Sequence, residues 1–400
     1  MNSPSRRLTR RELLSLAART AGFVGVGLMG GGMLLPVACS RRIEPGGRLL
    51  PSDANGLRLP AGFTSRIVAV SGEVVPGTNH VWHSAPDGGA TFETDDGGWI
   101  YVSNAEISRG GGGAGAIRFA PDGSVTDAYS ILHGTDRNCA GGRTPWNTWL
   151  SCEEVDRGEV YECDPFVPGS QGIVRPALGA FKHEAAAVDP TRRHIYLTED
   201  ERDGLLYRFI YPKPGSLASG VLEAAQILDP EDQGEIRPGD VRSIVWHPVS
   251  DPSASARATR RQVASATPFD GGEGCDFMDG IVVFSTKGDD RVWRLDTESN
   301  QIEILYDRAT SPTPLLSNVD NVLSVPGGDV FVAEDPGDLQ IVALSTSGEV
   351  TPIVQVTDAF GSEITGPALS PDGKRLYFSS QRFPGKTYEV SGPFLIASMT

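Results

Sequence analysis

The residues best suited to chemistry in this chain are thiols and carboxylates set among glycines. Residues 138–154 read NCAGGRTPWNTWLSCEE, with two cysteines, a Gly-Gly pair and two adjacent carboxylates closing a short apolar strand. Thiolates and carboxylates are metal ligands, and glycine lets backbone come close to a bound ion. Acidic pairs also follow later apolar runs, at Glu199-Asp200 and Glu334-Asp335. Taken singly, each is an ordinary solvated charge at a strand end. Brought together they would repel one another unless cations neutralised them. The chain has no CxxC pair, HExxH helix, phosphate-binding Gly-Lys-Ser/Thr loop or Gly-x-Ser-x-Gly elbow. The glycine run after Arg109, Gly110 to Gly113, opens no helix and reads as a flexible loop.

These residues need elements to position them, and an internal repeat supplies the pattern. Six segments share a turn, a short apolar strand and a polar end: 97–106, 147–154, 193–200, 280–290, 327–335 and 373–381. Aligned on the strand, Asn104, Cys152, Glu199, Thr286, Glu334 and Ser380 occupy one equivalent position, with Glu106, Glu154 and Asp335 beside it. Most spacings suit a four-stranded blade, and Asp/Gly/Pro turns at 119–125, 187–193, 324–330 and 369–375 mark hairpins. The expectation is an all-β, six-bladed β-propeller over residues 61–400. A charged, Pro-rich insertion at about 211–270 should form loops on one face. Equivalent strand ends meet at one end of a propeller channel, so the repeat predicts a polynuclear metal site there.

Composition agrees. The 400 residues include 48 glycines and 29 prolines, which favours short strands and turns over long helices. The formal charge is −16, so nucleic acid is not an expected partner. Residues 9–14, TRRELL, form a twin-arginine motif followed by an uncharged Gly-rich stretch, so residues 1–39 read as a signal for the twin-arginine export machinery and residues 40–60 as a linker. The mature chain is then periplasmic or extracellular. Cys39 lies in a lipoprotein-like box, so lipid anchoring and simple cleavage both stay open. Cys139, Cys152, Cys163 and Cys275 remain, an even number compatible with two disulfides.

Five segments, 138–154, FKHEAAAVDP (181–190), ERDGLLYRF (201–209), VDNVLSVPGGDVFVAED (319–335) and EITGPALSPDGKRLYFSSQ (363–381), resemble in order the signature segments of the PhoX alkaline phosphatase family. The resemblance implies a six-bladed, monomeric propeller that hydrolyses small phosphomonoesters with iron and calcium on its axis. By motif it makes Asn104 a phosphate contact, Cys139 the iron thiolate, and Glu106, Glu154, Glu199, Glu273, Asp320 and Glu334 metal ligands. Two positions depart from the pattern. Ala105 stands where the family has His, and Gly271 where it has an Arg that binds phosphate. Loss of a bidentate guanidinium should weaken phosphate binding by about 2 kcal/mol unless another cation such as Lys182, Arg143 or Arg382 replaces it. The alternatives are a metal-binding propeller without turnover and a lactonase-like calcium propeller that tolerates loss of Cys139.

Overall fold

Each repeated segment folds as the second strand of an antiparallel meander: Trp99–Ala105, Trp149–Glu153, His194–Glu199, Ile281–Thr286, Val330–Glu334 and Arg375–Ser380. Their aromatic, aliphatic and, in four of the six, β-branched residues favour extended backbone packed on both faces. The computed structural model describes residues 48–229 and 234–394. The twin-arginine signal and Cys39 therefore lie outside the described residues. Within those residues the fold is all-β with two three-residue 3-10 helices, and no helix is long and apolar enough to cross a membrane. All four Asp/Gly/Pro turns connect a first strand to a second, or a third to a fourth.

The strands form four sheets of four or five strands and one of nine, in a propeller-like arrangement. Val241–Pro248 joins the two halves of the nine-stranded sheet, pairing Val221–Ile227 on one side and Gln301–Asp307 on the other. These strands correct the expectation of loops across 211–270: alternating apolar residues such as Leu222, Ala224 and Ile244 are buried and carry the sheet outward. The last sheet is closed by the chain's beginning, since Thr64–Val70 pairs with Lys386–Ser391. The expected linker is also partly structural, because Leu57 and Arg58 pair with Val356 and Gln355 and Leu57 is fully buried. The glycine run becomes strand from Gly112 onward, where there is no room for side chains: a Cβ on Gly113 would lie 2.3 Å from the Leu132 carbonyl.

Aromatic and aliphatic side chains pack between neighbouring sheets. Trp99, Tyr101 and Phe119 of the first sheet, for example, meet Tyr377 of the last. Burying each such ring contributes roughly 2–3 kcal/mol of transfer free energy.

The first strands of the meanders are Pro86–Glu93, Asn138–Arg143, His183–Asp189, Gly272–Met278, Val319–Ser324 and Ile364–Leu369. They neighbour one another in a closed cycle, the last returning to the first. Their approach demands small residues. A Cβ on Gly88 would sit 2.5 Å from the Ala140 Cα, and one on Gly366 2.6 Å from the Asp87 carbonyl oxygen.

Candidate metal centre

Every one of these inner strands breaks register with its partner near its start. The irregularities fall at 86/89, 138/141, 183/186, 272/275, 319/322 and 365/368. A bulge re-aims a side chain that regular pleating would point elsewhere. The second residue of each inner strand stands at this irregularity: Asp87, Cys139, Glu184, Glu273, Asp320 and Thr365. Five of the six are potential metal ligands.

Adjacent second strands hold this position from behind. Asn104 Nδ2 donates to the carbonyls of Cys139 (3.1 Å) and Ala140 (2.7 Å). Thr198 Oγ1 donates to the Glu273 carbonyl and Ser285 Oγ to that of Asp320, both at 2.5 Å. In each case a hydroxyl or amide from one meander fixes the backbone of the next meander's acidic or thiol residue.

The ligand atoms form three overlapping groups, each with its members within 4.8 Å of one another: Cys139, Glu154 and Glu184; Glu184, Glu273 and Asp320; Asp320, Asp335 and Glu363. Glu184 and Asp320 each belong to two groups, so the three run together as one chain of sites. Glu184 Oε1 and Gln381 Oε1 are buried and accept no hydrogen bond. An orphaned carboxylate oxygen among other carboxylates is the arrangement that a cation completes. The donor set fits in kind, a thiol with carboxylates suiting iron and all-oxygen groups suiting calcium.

Electrostatics point the same way. Burial first, then neighbouring acids, pushes the carboxyl pKa values of Asp87, Glu184 and Glu273 well above the usual range, with Lys287 partly opposing the rise at Glu273. Burial raises Asp320 to about 7 and Glu154 to about 6. Glu363 is pushed up to about 10 by burial and by the charge of Asp335. Cys139 is raised by burial and by the surrounding Asp87, Glu184, Glu154 and Glu106. Each of these groups ionises less readily here than in water.

Four cations ring the mouth. Lys182 Nζ lies 2.8 Å from Glu154 and 2.6 Å from Asp200. Lys287 Nζ lies 3.0 Å from Glu273 and 2.6 Å from Asp335. Arg137 bridges Glu106 and Glu154, and Arg382 bridges Glu106 and Glu363. Arg143 instead stacks over Phe92, 5.4 Å from the ring centroid.

The structure gathers Cys139, Glu154, Glu273 and Asp320 from the expected ligand set. Glu106 stands at the rim, bound to the two arginines and to Gln381 (3.1 Å). Glu199 and Glu334 belong to none of the groups. Glu199 accepts from Tyr207 (2.7 Å), Leu205 N (3.2 Å) and Arg260 (3.1 Å); Glu334 accepts from Ser317 N, Asp338 N and Gln340 N, at 3.0–3.1 Å. Both close loops at the ends of their second strands, one strand removed from the axis. Asn104 is fully buried and its amide is saturated: besides the two carbonyls, its Oδ1 accepts from Trp149 (2.9 Å) and Ser151 (2.8 Å). It positions Cys139 and has no bond to spare for phosphate.

Asp87, Glu184 and Glu363 escape a repeat aligned on the second strands, because all three lie in or beside inner strands. The inner strands carry their own signal, an acid or thiol followed by small residues: Asp87-Gly88-Gly89, Cys139-Ala140-Gly141, Glu184-Ala185-Ala186 and Glu273-Gly274-Cys275. Cys139, Cys152, Cys163 and Cys275 are all free thiols.

Fold and site together define a propeller-like β protein whose axis carries three overlapping groups of thiol and carboxylate side chains that could hold metal ions. The alkaline phosphatase PhoX family profile matches residues 83–160 and 155–311, more than half of the sequence. The chain belongs to the PhoX alkaline phosphatase family. Among solved structures it is similar to Pseudomonas fluorescens PhoX in complex with vanadate, a transition-state analogue, with 17% identity and a TM-score of 0.69, covering 87% of this chain and 98% of that one. A protein of unknown function from Bacteroides thetaiotaomicron aligns at 10% identity and a TM-score of 0.50, over 82% of this chain and 76% of that one. A gluconolactonase from Xanthomonas campestris aligns at 13% identity and a TM-score of 0.45, over 88% and 99%. No curated protein matches the sequence.

Proposed function

We propose that this protein is an exported, metal-dependent phosphomonoesterase built on six blades, with iron and calcium in the axial pit. The observation that carries the reading is the chain of three ligand groups sharing Glu184 and Asp320. Family membership supports phosphatase-type hydrolysis, and the closed cycle of six inner strands supports six blades, with the nine-stranded sheet counted as two.

Cys139, Glu154 and Glu184 would hold iron, and Glu184, Glu273, Asp320, Asp335 and Glu363 would hold calcium. Bound there, such ions supply Lewis acidity and charge neutralisation for phosphoryl transfer. The chain's own residues do the rest. Lys182, Lys287, Arg137 and Arg382 attract a phosphate dianion to the mouth and orient it. Lys287 lies beside Gly271, its Cβ 3.8 Å from where a Gly271 Cβ would stand, and supplies positive charge at the position that lacks the family's arginine. Thr198, Ser285 and Asn104 keep the ligand backbones fixed.

The test is phosphate release by protein purified after native export, with elemental analysis of the same sample. Iron and calcium with turnover of p-nitrophenyl phosphate are expected. Metal-replete protein that releases no phosphate from a broad panel of monoesters overturns the reading.

A further inference from the structure

A second concavity of about 230 Å³ opens beside the pit. Lys182 belongs to both, since it lines this cleft while its Nζ touches Glu154 of the ligand groups. The cleft is a built feature. Its far wall comes from residues 252–260, part of the segment inserted between the third and fourth repeats. That wall is pinned by Ala180 N donating to the Pro252 carbonyl (2.8 Å) and Thr259 Oγ1 donating to the Ala180 carbonyl (2.8 Å). Phe181, Ala180 and Ala258 give it an apolar lining.

Three cations face the cleft, and they are not equivalent. Lys182 and Arg260 are held by carboxylates, Arg260 by Glu199, Glu201 and Asp203. Arg157 is exposed and donates to the carbonyls of Ala254 (2.7 Å) and Ser253 (2.9 Å), with no carboxylate partner among the described residues. Its backbone is left-handed, at φ 60°, within a turn closed by Gly158 N donating to the Val155 carbonyl (2.8 Å). The cleft thus runs from a lysine at the pit, across an apolar surface, to an arginine that no described carboxylate pairs, with the exposed Asp156 beside it in the lining.

We propose that this cleft receives the alcohol portion of the substrate, and that Arg157 selects alcohols carrying a second anionic group, a carboxylate or phosphate, beyond a short carbon chain. The inference rests on the phosphomonoesterase reading for the placement of the first phosphate at the pit. It names the substrate class: compact phosphomonoesters with a second negative charge. Arg157 is a specificity residue and touches none of the ligand groups.

Non-hydrolysable probes test it without requiring turnover. Calorimetry on metal-replete protein with methylphosphonate, phosphonoacetate and 4-phosphonobutyrate should show binding that tightens along the series, by about tenfold overall, the worth of one charge-assisted contact. Arg157→Met should abolish that preference while leaving methylphosphonate affinity unchanged. Ala258→Glu, which sets a carboxylate in the cleft wall and leaves Arg157 in place, should reduce it as well. Equal affinity across the series, no binding of any probe, or a preference that survives both variants overturns the proposal. Preference retained in a protein that hydrolyses no phosphoester would overturn the catalytic reading and leave the subsite standing.

Discussion

Asn104 Nδ2 reaches across from one meander to the next and donates to both Cys139 O and Ala140 O, at 3.1 and 2.7 Å. The thiol's place beside Glu154 and Glu184 therefore depends on an amide buried behind it. Replacing Asn104 with Leu strands two carbonyls together with the Trp149 and Ser151 donors. Each unsatisfied buried group costs about 1–3 kcal/mol. The expected outcome is a lower urea midpoint together with weakened iron retention; unchanged iron content in folded protein would show that Cys139 holds its position unaided.

Glu184 belongs to two ligand groups and Glu334 to none. Glu184→Gln keeps the volume and removes the charge, and should lower bound metal and phosphate release at least tenfold, as the loss of a shared ligand does. Glu334→Gln should cost stability, because the carboxylate accepts three backbone N–H groups, yet leave metal content intact. Atomic absorption of the two purified variants separates them, and equal metal loss in both counts against the axial assignment.

Chelated protein should become less stable as pH rises through weakly acidic values. Burial lifts Asp320 from 3.8 to about 7 and Glu154 from 4.5 to about 6, so the folded state holds protons that the unfolded chain releases. Their contribution is fully present below about pH 4 and is lost by about pH 7. Added calcium should restore the midpoint at pH 7 and do little at pH 4. A chelated protein whose midpoint climbs over the same interval contradicts this account.

Lys287 stands between Glu273 and Asp335, with Asp320 close by. Burial alone would lower its pKa, but these three carboxylates hold it raised. Lys287→Met should destabilise metal-free protein by roughly 1–3 kcal/mol, since it leaves acids without their counter-charge. In metal-replete protein the change should raise KM for small phosphoesters more than it lowers kcat. The opposite split would make the ammonium a transition-state contact rather than an anchor.

Much of this architecture is legible in the chain. The second strands announce themselves because Tyr101, Tyr196, Phe284 and Phe331 sit among β-branched neighbours and follow recognisable turns. The inner strands are harder to read. PDGGATFE and GEGCDFM look like turns by composition, since glycine and aspartate are disfavoured in strands. They become strands only because they line a crowded axis, where tertiary packing overrides propensity. Glu199 and Glu334 are convincing ligands in one dimension for the same reason. Their repeat position is real, but it turns Glu199 to Leu205 N, Tyr207 and Arg260, and Glu334 to three backbone N–H groups. The resemblance to PhoX segments points to Cys139, Glu154, Glu273 and Asp320, whereas Glu184 is one acid before three alanines in the 181–190 segment.

The small residues that let the inner strands meet also decide how the pit communicates with its surroundings. Below the ligand positions, Gly88, Ala140, Ala185, Gly274 and Gly366 crowd around a pocket of about 40 Å³, room for a few water molecules at most. That space is too narrow for a phosphoester. Phosphoester, product alcohol and phosphate must therefore share the mouth above the ligand groups, so a molecule lodged there also hinders ions from leaving by that side. Metal escape into a chelator should therefore slow when phosphate is present, which makes the reaction product a stopper for the very ions that assist its release.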